Sequence, residues 1–133
     1  YQNLGHNLFI TLGQINSILN MEISIDLKLM REIVFRDEPL LLEMVDEWIQ
    51  DSDGKMDQII KLYELNNYDK LFNKIHELKT NFSMIHCPAG IQCCERMIRA
   101  VEKQNLENSD INQLITIVAD VKSQLLNQIE PIK

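Results

Sequence analysis

Apolar residues recur every three or four positions along nearly the whole chain, and no stretch alternates apolar with polar residues long enough to argue for a strand. Leu4, Leu8, Leu12, Ile15 and Ile18 or Leu19 form a first stripe that ends near Asn20. Asp26 is placed to cap a short second helix carrying Leu27, Met30, Ile33 and Val34, which stops at Phe35, Arg36 and Asp37. Asp37 caps again, with Glu38 and Pro39 in the first turn, where an acid and a residue of fixed φ are favoured. Leu41, Leu42, Val45, Trp48 and Ile49 follow, and the spacing resumes almost in phase through Met56, Ile59, Ile60 and Tyr63. One long helix with a weak point near Gly54 is therefore predicted.

Asn66 and Asn67 mark a turn. Tyr68, Leu71, Phe72, Ile75, Leu78, Phe82 and Ile85 then give a strongly amphipathic helix, which Pro88 and Gly90 interrupt. Ile91, Cys94, Ile98 and Val101 make the next stripe; Ser109 with Asp110 opens a last helix bearing Ile111, Leu114, Val118, Val121, Leu125 and Ile129. Short connections make successive long helices antiparallel neighbours. The predicted fold is thus all-α: an antiparallel up-and-down four-helix bundle with one or two extra N-terminal helices. Residues 1–22 read as a helical extension or linker, and 23–133 as the bundle domain.

Composition narrows the picture further. A chain of 133 residues, 45% apolar and 25% charged, fits one core, and four glycines with three prolines are too few for the turns of a sandwich or barrel. The net charge of -7 repels phosphate backbones and anionic lipid, so neither nucleic acid nor membrane is expected as a partner. Three cysteines, two of them adjacent, suit a reducing compartment better than a disulfide scaffold, which points to the cytoplasm. No apolar run nears the roughly 20 residues needed to span a bilayer, and no signal peptide is visible. The chain starts at Tyr1 and reads as part of a longer one; a monomer is the simplest expectation.

The residue out of pattern is His76. At about 100° per residue it lies roughly 120° from the centre of the apolar face of its helix, so it should face solvent. Phe72, Asn73, Lys79, Thr80 and Ser83 lie three, four or seven residues away and share that outer surface. An exposed imidazole is nucleophilic near neutral pH, and Lys79 could neutralise phosphoryl oxygens one turn on.

The run Ile75-His76-Glu77-Leu78-Lys79 resembles the core signature of histidine-containing phosphotransfer (HPt) domains, in which leucine and lysine follow the phospho-accepting histidine by two and three residues. Upstream, Ile25-Asp26-Leu27, Asp37-Glu38-Pro39-Leu40-Leu41 and Asn67-Tyr68-Asp69-Lys70-Leu71 look like the successive helix openings of that family. The resemblance covers about 23–129.

It implies a phosphorelay intermediate: His76 accepts a phosphoryl group from a receiver-domain aspartate and passes it to another receiver. Lys79 would stabilise charge, while Phe72, Asn73, Thr80 and Ser83 would border the partner. The partners implied are receiver domains of response regulators or hybrid kinases, which supply magnesium; the domain itself binds no cofactor. Two positions depart from the family, which has glycines where Thr80 and His86 stand. Thr80 lies about 40° round the helix from His76, and its β-branched side chain either intrudes on an approaching partner or donates its hydroxyl to the phosphoryl group. The alternative reading is accordingly a phosphorylation-incompetent HPt-like module that docks receivers or other proteins, and a third is a structural bundle without a receiver partner.

Other clusters have plainer explanations. His86, Cys87, Cys93 and Cys94 match no familiar zinc spacing, and Cys94 falls in an apolar stripe, so no metal is expected. Trp48 reads as a core anchor, His6 as a solvated surface residue, and Asp46, Glu47, Asp51 and Asp53 as a solvated acidic face. No serine, cysteine or carboxylate pair has a recognisable catalytic neighbour, and no glycine-rich loop could cradle a nucleotide. Kinase machinery is therefore not expected; the resemblance implies a phosphocarrier, not a self-sufficient enzyme.

Overall fold

The computed structural model of the chain describes residues 23–133. The first stripe, from Leu4 to Leu19, and His6 lie outside the described residues. Five α-helices and no strand occur among the described residues: α1 (Lys28–Ile33), α2 (Glu38–Glu64), α3 (Tyr68–Met84), α4 (Pro88–Glu102) and α5 (Asn108–Ile129), closed by a short 3-10 turn at Glu130–Ile132. Helices α2 to α5 form the antiparallel bundle. Each packs on its two neighbours in a closed ring, and α1 rests on α2.

The capping chemistry accounts for most of these boundaries. The Asp37 carboxylate accepts from the Leu40 N–H at 3.1 Å, and Pro39 sits in the first turn of α2, where its missing N–H costs nothing. Asn67 accepts from Lys70 at the start of α3 at 3.3 Å. Two starts differ in detail from the pattern predicted. Asp26 accepts from the Lys28 N–H at 2.8 Å, but Leu27 is the residue that precedes α1. Helix α5 begins after Glu107, not at Ser109, because Asp110 reaches back to accept the Glu107 N–H at 3.0 Å. Gly54 does not break α2, which runs through 27 residues.

Four helix ends close in the same way. In each, a residue takes a left-handed φ while its own N–H and the next one bond back to the last turn: Phe35 after α1, where Arg36 is left-handed too, Asn66 after α2, His86 after α3 and Gln104 after α4. None of the four is glycine, the residue this closure favours.

The core runs the length of the ring. Leu41, Val45 and Ile59 of α2 meet Leu71, Ile75, Leu78 and Phe82 of α3, with Cys94 and Met97 of α4 and Leu114, Ile117, Val121 and Leu125 of α5. Met30 of α1 is wholly buried. The segment leading into α1 is tied down by two hydrogen bonds, from the Asp26 N–H to the Ile85 carbonyl at 2.7 Å and from Gln124 Nε2 to the Ile23 carbonyl at 2.6 Å. None of the described helices is long and apolar enough to cross a membrane.

Candidate functional site

Helix α3 carries the site because its stripe of Leu71, Ile75, Leu78 and Phe82 is completely buried, which turns the opposite surface outward. His76, Asn73, Thr80 and Ser83 are exposed on that surface, and Phe72 and Lys79 are half-buried beside them. All six residues singled out in the sequence therefore lie on the part of α3 that the bundle leaves open.

Within this patch Phe72 and His76 touch through their rings. Their rings meet edge to face, with centroids 4.8 Å apart and planes at 61°. Lys79 has no carboxylate within ion-pair distance among the described residues, whereas Lys74, on the same helix, is paired with Glu77 at 3.2 Å. The Lys79 ammonium is thus available to an incoming anion. The two hydroxyls point back into the helix: Thr80 Oγ1 donates to the His76 carbonyl at 3.3 Å, and Ser83 Oγ donates to the Lys79 carbonyl at 3.1 Å. To donate to a phosphoryl group, Thr80 would first have to give up that bond.

No family model, curated protein or solved structure matches the chain. The functional reading therefore rests on the residues of this patch and their geometry.

One constellation escaped the sequence reading. Asn81, buried on the α2 side of α3, donates from Nδ2 to Asp51 Oδ2 and to Ser52 Oγ, both at 2.8 Å, and accepts from Lys55 Nζ at 3.0 Å. Lys55 closes the cluster with an ion pair to Asp51 at 2.7 Å. Hydrogen bonds from Lys55 and Asn81 hold the Asp51 carboxyl below its ordinary pKa. The Asn81 carbonyl also accepts from Trp48 Nε1 at 2.7 Å, so the indole N–H is satisfied inside the core. This cluster ties α3 to α2 on the side where Leu71, Ile75, Leu78 and Phe82 are already buried. Asn81 and Ser52 both fall on otherwise apolar stripes, and that break in pattern was the available signal.

Asp53 likewise leaves the solvated acidic face to bridge to Lys122 of α5 at 2.7 Å. The sulfur residues belong to the core. Cys87, Cys93 and Cys94 are free thiols and buried, and burial pushes the Cys93 thiol up to about 12 and raises Cys87 and Cys94 as well. His86 is exposed at the end of α3. Among the described residues no group of three or more His, Cys, Asp or Glu side chains is placed to hold a metal ion.

Proposed function

We propose that the chain is a phosphorelay intermediate in which His76 accepts a phosphoryl group from the aspartyl phosphate of a receiver domain and returns it to the aspartate of another. The observation that carries this reading is the exposed imidazole in the middle of a helix whose other side is locked into the core, within the run His76-Glu77-Leu78-Lys79. Transfer needs a nucleophile held at a fixed height on a rigid element, and α3 supplies one. A lone pair of the imidazole attacks phosphorus, the acyl P–O bond breaks, and the carboxylate leaves with the bonding electrons. Lys79 lies one turn along and would balance charge on the phosphoryl oxygens. The receiver would bring the magnesium ion and would dock over Phe72, Asn73, Thr80 and Ser83. Receiver partners would also place the chain in the cytoplasm.

A second reading has its own supporting observation. Thr80 stands where the resembled family has glycine, and its hydroxyl is tied to the His76 carbonyl, so a partner would enter the patch without room for transfer. In that case the module binds receivers and carries nothing.

Incubation of the chain with a panel of phosphorylated receivers separates the two. Acid-labile, base-stable label on the wild type that vanishes in His76→Gln supports the carrier. Receiver binding with no label on the wild type supports the binding module.

A further inference from the structure

We infer that Phe72 is a positioning residue for the His76 imidazole, over and above any contact it makes with a partner; the inference rests on the phosphocarrier reading. Side chains on a helix lean toward its N-terminus, so the imidazole of His76 leans over the turn that carries Phe72, one turn earlier. The two rings meet there with centroids 4.8 Å apart and planes at 61°. Phe72 is itself anchored, since it is half-buried and packs against the core. One side of the imidazole is thus backed by a ring that cannot swing away freely.

Two consequences follow. The imidazole loses rotational freedom before any partner arrives, so less must be frozen out when its nitrogen lines up with phosphorus. The contact also covers the part of the imidazole nearest Phe72, so a donor approaches from the rest of the ring.

A small-molecule donor tests this without a docking partner. Phosphoramidate transfers its phosphoryl group directly to an imidazole. The nitrogen lone pair forms the new N–P bond, the P–N bond of the donor breaks, and ammonia leaves with that electron pair and takes up the ring N–H proton through water. Phe72→Leu keeps an apolar side chain at the position but removes the ring, while Phe72→Tyr keeps the ring.

The expected result is a labelling rate about threefold or more lower in Phe72→Leu than in the wild type, with Phe72→Tyr close to the wild type. Helical circular dichroism establishes that each variant is folded. Equal rates in all three folded proteins would overturn the positioning role while leaving the carrier intact, whereas an unlabelled wild type would overturn the carrier reading and this inference with it. Nuclear Overhauser contacts between the two rings give a second check that needs no variant, and their absence would also overturn the positioning role.

Discussion

Gly90 abuts the ring of Phe82, and a Cβ added at Gly90 would overlap the ring carbons. Phe82 is fully buried and comes from the helix that displays His76, so the missing side chain at Gly90 is what lets α4 close on α3. Gly90→Ala is expected to cost about 1–3 kcal/mol through overpacking, read from urea unfolding. In a Phe82→Leu background the added cost of Gly90→Ala should shrink, because the two residues share one space.

His86 closes α3 with a φ of 45°, a left-handed conformation that costs any residue with a Cβ. Its N–H and that of Cys87 bond back to the carbonyls of Ser83 and Phe82, so the position is held by the closure and not by the imidazole. His86→Gly should therefore raise stability by about 0.5–1 kcal/mol, seen as a higher melting temperature. It should leave label on His76 unchanged.

The Asp51 carboxyl titrates below its ordinary value of 3.8 in the folded chain because Lys55 and Asn81 hydrogen-bond to its charged form. A depressed carboxyl pKa contributes stability that is present above the unfolded value and is lost as pH falls through the folded one. Wild type should thus exceed Asp51→Asn in urea midpoint near about pH 6, and the gap should narrow below 3.8. The Asp51 side chain is 55% exposed, so the gap is small and shrinks further in salt.

Thr80→Gly trades stability for access. Glycine inside a helix costs about 1 kcal/mol, and the bond from Thr80 Oγ1 to the His76 carbonyl is lost as well, so the melting temperature should fall. If the wild type carries phosphate, transfer from receivers should quicken in the variant. If it only binds, the variant should begin to accept label, which locates the block at this side chain.

Among the described residues, the number of helices, their order and most of their inward faces were legible from spacing, because an amphipathic helix must bury its stripe and short turns force neighbours antiparallel; Ile33, placed on the α1 stripe, is instead 47% exposed. The same spacing put His76 on the outer surface, since a residue opposite Ile75 and Leu78 has nowhere else to go. Asp37 and Asn67 could be read as caps because that role depends on neighbours within one turn. Contacts between distant residues could not be read this way. The joining of Asn81 to Asp51, Ser52 and Lys55, the bridge from Lys122 to Asp53 and the seating of Gly90 on Phe82 depend on the depth and rotation at which helices meet, and periodicity carries no register between helices. The edge-to-face contact of Phe72 with His76 is local in sequence, yet its geometry follows from rotamers chosen by packing. Pattern along the chain thus settled most of the apolar residues that face inward, and packing between the helices settled which polar residues join them and which side chains touch.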